Sequence, residues 1–389
     1  MEKTIGSAAR WVARVGSIAA VMALAACGGG GGGSAAPATG TLKLSMTDAP
    51  ACYSSVVLNV EKIRVHTSND SGTGDGDGGW KDIVPANAPV KIDLLDLTNG
   101  QLAELGSTTV PAGSYHQLRL VLANNGNTVT PVGGTPQPLK TPSGQQSGVK
   151  IKADFEVAAN QVSDYLMDFD ACKSIVLTGS GTYILKPVVR LSQKPAGSIQ
   201  GYVTTTMTLT GTTVSAQQNG TVLRSTTPDA AGKFTLAYLN PGTYTVVITS
   251  SERATGVVES VPVGTSTVSI NGTSTAVVLP TSLMNTVTGT VTAGTTLNDV
   301  LVTALQQLTT QLIEVTSVRV DDATGAYSMS LPVDAPVRTT YASGGLPAFT
   351  ADGSATGEYT IRATAEGHSP QSTPVTITSG SGATANFGF

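Results

Sequence analysis

Charged residues make up only 12% of this 389-residue sequence, about half the ~25% usual in soluble domains. There is no basic excess either: 22 Lys and Arg face 26 Asp and Glu, for a net charge of −4. That balance excludes the electrostatic footprint of a nucleic-acid partner. Three His and three Cys are too few for a metal cage, and no cofactor is implied. No G-x-S-x-G, H-E-x-x-H or G-x-x-x-x-G-K-[ST] pattern occurs, so the common hydrolase, metalloprotease and nucleotide-binding signatures are missing. Aromatics are 5%. With 40% hydrophobic residues and little net charge, the chain also lacks the composition of a disordered protein. It has instead 44 Gly and 20 Pro, with Thr and Ser filling the places that charge leaves.

Residues 1–26 read as an export signal. Lys3, Arg10 and Arg14 precede an apolar stretch at 15–26, too short for a membrane span of roughly 20 residues. The stretch ends in Leu24-Ala25-Ala26-Cys27, which resembles the lipobox of bacterial lipoproteins. The resemblance implies cleavage before Cys27 and lipid attachment at that residue. Acyl chains would then hold the protein to a membrane far more firmly than a single myristoyl group does. Losing Glu2, Lys3, Arg10 and Arg14 takes the net charge from −4 to −6, so anionic lipid exerts no electrostatic pull and the lipid must do the anchoring. Residues 27–39, with six consecutive glycines, form a flexible tether reaching about 20 Å. Gly28 rather than Asp after the lipidated residue resembles lipoproteins sent to the outer membrane. The expected location is therefore exported and lipid-anchored, at the outer membrane.

In an oxidising compartment the two remaining cysteines, Cys52 and Cys172, are expected to form a disulfide. Closing a loop of this length is worth up to ~4–5 kcal/mol in the chain-entropy view. No His is adjacent to either in sequence, so neither suits a reactive thiol.

Beyond Gly40 the chain reads as short strands rich in β-branched residues, punctuated by Gly, Pro, Asn and Asp about every ten residues. Val149 to Val157 alternates apolar and polar, the mark of a strand with one wet face. Strand runs without helices between them predict an all-β chain of packed antiparallel sheets. Leu297, Val300, Leu301, Ala304, Leu305, Leu308 and Leu312 also fall on helical spacing, so 297–313 is open between helix and strand.

An internal repeat favours strand there. Gly201-Tyr202-Val203 and Val214-Ser215-Ala216 are answered by Gly289-Thr290-Val291 and Val302-Thr303-Ala304 at the same spacing. Asp229-x-x-Gly232-Lys233-Phe234 is answered by Asp322-x-x-Gly325-Ala326-Tyr327, and Gly242-Thr243-Tyr244 by Gly357-Glu358-Tyr359. One small domain is therefore present twice, with 300–306 a strand and 331–356 an insertion expected to project as a loop. The pattern resembles the carboxypeptidase regulatory-like, or transthyretin-like, β-sandwich family.

The first folded segment carries other motifs: Ser45-Met46-Thr47-Asp48-Ala49-Pro50, Ile92-Asp93-Leu94-Leu95-Asp96-Leu97, Val110-Pro111-Ala112-Gly113-Ser114-Tyr115-His116, the run Lys140 to Ile151, and Tyr183-Ile184-Leu185-Lys186-Pro187. Together they resemble a family catalogued as domain of unknown function 4382, found in bacterial lipoproteins. That resemblance implies an exported β-sandwich and no activity. The expected organisation is a signal at 1–26, the tether at 27–39, and three consecutive antiparallel sandwiches at 40–195, 197–282 and 285–389.

Candidate sites are few. Asp70, Asp75 and Asp77 in a Gly-rich stretch could supply calcium with oxygens, but position twelve counted from Asp75 is Ala86 rather than the Glu of an EF-hand; a solvated hairpin tip is the simpler expectation. His66 or His116 gathered with Asp48 or Asp96 would mark a hydrolase site on loops of the first sandwich. Asp48 to Pro50 and the 142–148 loop could line a binding surface. Trp80, Tyr238, Tyr341 and Phe349 could stack on sugar rings or simply pack. Residues 286–389 contain no Lys, so the third sandwich cannot form a Lys isopeptide crosslink; the second has only Lys233, in a turn. The expected function is a non-enzymatic, lipid-anchored envelope protein acting as a binding, adhesion or spacer module. Its partners are the membrane through its lipid and a glycan or envelope protein; the alternatives are the hydrolase or an accessory lipoprotein of an envelope assembly.

Overall fold

A computed structural model describes residues 37–49, 53–70, 72–142, 148–292, 300–321 and 323–389. Strands dominate the described residues, and the one α-helical turn is α1 (Ala171–Ser174). Among these residues no helix is long and apolar enough to cross a membrane.

The first sandwich is built on β1 (Thr39–Ala49), β2 (Tyr53–His66), β3 (Ala103–Pro111), β4 (Gly113–Leu122), β5 (Val149–Val157) and β6 (Val162–Asp170). β1 lies between antiparallel β3 and parallel β6, while β2, β4 and β5 run antiparallel in the facing sheet. Leu42, Leu44 and Met46 on β1 are fully buried, as period-2 alternation requires. On β2 the buried set shifts from Val56, Leu58 and Val60 to Ile63 and Val65. A bulge between Val60 and Lys62 absorbs that change of phase and keeps both halves facing the core.

The second sandwich comprises β7 (Gly197–Tyr202), β8 (Thr212–Gln218), β9 (Thr221–Thr226), β10 (Lys233–Leu239), β11 (Gly242–Ser250), β12 (Gly256–Val263) and β13 (Thr267–Ser269). The third comprises β14 (Met284–Thr292), β15 (Leu301–Gln307), β16 (Leu312–Arg319), β17 (Ala326–Pro332), β18 (Val337–Thr340), β19 (Thr350–Ala351), β20 (Glu358–Thr364), β21 (Gln371–Thr376) and β22 (Ala383–Thr384). Their pairings match strand for strand. β7 sits between antiparallel β10 and parallel β13, and β14 between antiparallel β17 and parallel β22. β9-β8-β11-β12 is answered by β16-β15-β20-β21. Within 297–313 the chain is strand at Leu301–Gln307 and again from Leu312, as the repeat predicts for 300–306; residues 293–299 lie outside the described residues. The first sandwich follows the same plan, although its motifs differ from those of the repeat.

Two sequence expectations are corrected. The acid seen to cap the turn before β17 is Asp321, while Asp322, which the repeat names, lies outside the described residues: Asp321 Oδ1 accepts from the Ala323 and Thr324 amides at 3.0 and 2.8 Å. Asp229 does the same for Ala231 and Lys233, both at 2.9 Å; the later turn is one residue longer and shifts the cap back by one. The insertion at 331–356 does not project as a loop. β18 pairs in parallel with β12 and carries β19 with it, so the third sandwich lends two strands to the sheet of the second. Val337 enters the second core, and Tyr341, Leu346 and Phe349 pack against it. The physical reason is the edge: β12 would otherwise present unpaired backbone groups.

Residues 38–389 form one compact unit with a separate apolar core in each sandwich. A fourth, small cluster of Val247, Val257, Leu308 and Ile313 joins the outer face of the second sandwich to the β15–β16 turn of the third.

Candidate binding site at the junction of the three sandwiches

The residues singled out by sequence fall in separate places. Asp70, Asp75 and Asp77 belong to a segment fastened to the sheet rather than a free hairpin tip. Gln117 on β4 donates to the Ser68 and Asp70 carbonyls at 2.8 and 2.7 Å. Arg119, 2% exposed, reaches Asp75 Oδ1 at 2.5 Å and the Thr73 carbonyl at 2.9 Å. Its guanidinium lies 4.2 Å from the Trp80 ring centre, a cation–π contact. Asp70 caps the Gly72 amide, and Asp77 takes His66 Nε2 at 3.0 Å and the Gly79 amide at 2.7 Å. The Ser68 amide donates to His66 Nδ1, so the ring proton sits on Nε2. Each carboxylate thus faces a different protein donor, and among the described residues no group of three or more His, Cys, Asp or Glu comes together.

His116 pairs with Asp154 at 2.7 Å, and His368 packs on Phe389, so the three histidines do not converge. Asp96 lies in the 3-10 turn Leu94–Leu97, which Asp93 caps. Cys27, Pro50, Cys52 and most of the 142–148 loop lie outside the described residues. Trp80 is packed between His66 and Arg119, and Tyr238 donates its hydroxyl to the Gly100 carbonyl at 2.8 Å. With Tyr341 and Phe349 on the second core, each of the four candidate stacking rings is engaged within the protein.

The structure does assemble a site where all three sandwiches meet, from residues with no sequence signature. β6 ends at Asp170, whose Oδ1 caps α1 through the Lys173 amide at 3.0 Å. That cap aims Lys173 at the third sandwich, where Nζ meets Glu314 Oε1 at 2.9 Å and lies 3.5 Å from Asp170 Oδ2. Burial works against the Lys173 charge, but Asp170 and Glu314 outweigh it and hold its pKa above the ordinary lysine value. Ser317 also donates to Glu314, at 2.6 Å. The Glu314 backbone is read by the second sandwich, since the Gln217 side-chain amide exchanges two 2.8 Å hydrogen bonds with it, in the manner of a neighbouring strand. Arg319 donates to the Lys173 carbonyl, and the Gly179 amide donates to Asp321 at 2.6 Å.

Between the first and second sandwiches, Arg224 bridges Asp168 Oδ2 at 2.8 Å and Ser192 at 3.0 Å, with both charged partners buried. Burial pushes the Asp168 carboxyl up, against the pull of Arg224 and Arg190. Asn99, at a positive φ of 56°, joins Thr226, Thr227 and Thr235 at 2.8–2.9 Å. Beside the Lys173, Glu314 and Asp321 contacts lies an open cavity of about 510 Å³ lined by α1, β8, β9, β11 and β16, within the size range of small-molecule sites.

Residues 39–187 match the family described as Domain of unknown function (DUF4382), as the motifs of the first segment imply. No curated protein matches the chain. Among solved structures it is similar to a chain of a type II cohesin–X–dockerin complex from Acetivibrio cellulolyticus, at 22% identity over 22% of this chain and 58% of that one, TM-score 0.19. It is similar to the Bacillus anthracis TIE protein at 11% identity over 90% of this chain and 51% of that one, TM-score 0.19. It is also similar to the Streptococcal ancillary pilin at 10% identity over 90% of this chain and 98% of that one, TM-score 0.16. The chain thus spans just over half the length of the first two.

Proposed function

We propose that this protein is a lipid-anchored component of the bacterial cell envelope in which three sandwiches act as one stiff, non-enzymatic binding or spacing body. The observation that carries this reading is the interlock: the second sandwich borrows strands from the third, and a buried ion pair joins the second to the first as a partly buried one joins the third. Interfaces between domains of one chain are commonly small and mobile; shared strands and paired buried charges oppose such motion. A body of that kind, behind a flexible tether and an acylated Cys27, suits holding a site at a set distance from the outer membrane. Its partner is a glycan or an envelope protein. The Cys52–Cys172 disulfide belongs to the same reading. Ala49 lies opposite Asp170 in the parallel β1–β6 pair, and each cysteine follows its strand end within three residues.

The test is palmitate labelling in cells. The wild-type chain should take up label and Cys27→Ala should not; an unlabelled wild type overturns the anchor. The oxidised mature chain should run faster than the reduced one without reductant, and Cys172→Ser should remove the difference.

A further inference from the structure

We infer that the cavity at the three-sandwich junction binds a neutral, polyhydroxylated small molecule, a sugar of one or two rings. The charged groups around it are already matched within the protein. Lys173 is held by Asp170 and Glu314, and Asp321 by the amides of Gly179, Ala323 and Thr324. An anionic ligand would meet those carboxylates, and a cationic one would have to displace Lys173 from a largely desolvated pair at the cost of leaving charge unmatched. The hydroxyls differ. Thr213, Ser225, Thr249, Thr316 and Ser328 line the cavity, and none of their side chains has a hydrogen-bond partner among the described residues.

A Ser or Thr hydroxyl both donates and accepts, which complements another hydroxyl rather than a formal charge. Thr213 and Thr249 stand directly opposite each other on β8 and β11, so two of these groups come as a cross-strand pair. Ile175, Val222 and Val315 contribute apolar wall to the same cavity, a surface suited to the C–H face of a sugar ring. The hydroxyls and the apolar wall are together amphipathic and uncharged, and so is the ligand class. This inference rests on the cavity alone and stands whether or not Cys27 carries lipid.

Saturation-transfer NMR on the full mature chain tests it, with glucose, N-acetylglucosamine and cellobiose as neutral probes and glucuronate and glucosamine as charged ones. Ring-proton enhancement is expected from the neutral set and not from the charged set. Filling the cavity with Thr316→Trp should abolish it. The double change Thr213→Val with Thr249→Val keeps shape but removes two hydroxyls, and should weaken binding about tenfold. Unchanged thermal unfolding of that variant separates lost binding from lost fold, and Ser328→Ala provides a further variant that keeps the backbone untouched. No enhancement from any neutral probe, equal enhancement from the charged probes, or enhancement that survives Thr316→Trp would each overturn the assignment.

Discussion

Tyr115 and Tyr244 each donate a hydroxyl to the carbonyl four residues earlier, Pro111 and Asn240, at 2.8 Å. Each follows a Gly by two positions at the start of β4 or β11, where the chain turns from one sheet into the other, so the phenol fastens the corner of its sandwich. Tyr359 plays the part in the third sandwich, yet its acceptor is Pro332, 27 residues back, at 2.7 Å. The distance in sequence is the inserted segment: residues 333–356 leave the corner and return to it, and the bond closes across the gap. Burial raises the pKa of Tyr115, Tyr244 and Tyr359 alike, keeping each hydroxyl a neutral donor. Replacing Tyr244 by Phe should cost about 1 kcal/mol, the worth of one hydrogen bond with a buried acceptor left behind; Tyr115→Phe should cost about the same, read as a lower midpoint in urea unfolding. Two of these corners were legible in the sequence as part of the repeat. The third, Gly113-Ser114-Tyr115, carries the same Gly-x-Tyr signal but sits among motifs that resemble a different family. Gly232 and Gly325 were legible for a steric reason: both adopt positive φ, 75° and 69°, and a Cβ there would fall 2.1 Å from the carbonyl oxygens of Val203 and Val291.

At the scale of elements, the segment that crosses from the third sandwich to the second was the least legible. Gly344, Gly345 and Pro347 read as loop. The strand within it, Val337 to Thr340, is too short for alternation to distinguish, although Val337 and Thr339 are both buried. Its partner β12 lies in another repeat, and no local signal names a parallel neighbour that far away. The segment is fastened at its far end by Asp352. This carboxylate accepts from the Thr309 amide and hydroxyl at 2.9 and 3.0 Å and from Ser354 at 2.6 Å, and pairs with Arg338 at 3.1 Å. Burial would raise its pKa, but these partners win and hold it down to about 2, from an ordinary 3.8. A carboxyl lowered on folding contributes stability that is present above its unfolded value and is lost as the pH falls through its folded value. The thermal midpoint of Asp352→Asn should therefore lie below that of the wild type at pH 5. The gap should close as the pH is taken from 4 to 2, because the wild-type carboxyl then gains the proton whose effect the amide imitates. A gap that stays constant over that range would remove Asp352 from the account of how the segment is held.

For the whole molecule, composition and punctuation made an all-β chain of sandwiches legible, but nothing in them pairs Lys173 with Glu314 across 141 residues. Contacts between sandwiches depend on rigid-body placement, which neither periodicity nor turn chemistry encodes, so the junction and its cavity emerge only in the folded chain. The Asp168–Arg224 pair shows how strongly that placement is enforced. Both side chains are about nine-tenths buried, so removing one partner strands the other. Arg224→Ala should cost about 3–5 kcal/mol, whereas the joint change Asp168→Leu with Arg224→Met should come out near neutral, since it removes the charge that needs a partner. Calorimetry distinguishes more than the size of the loss. If the pair transmits stability between sandwiches, the wild-type chain unfolds in one transition. Arg224→Ala should then release the first sandwich as a separate, earlier event and leave the second and third, still joined by β12 and β18, to unfold together. A single transition that merely moves to lower temperature in Arg224→Ala would mean that the remaining contacts, those of Asn99 and Lys173 foremost, suffice to couple all three sandwiches.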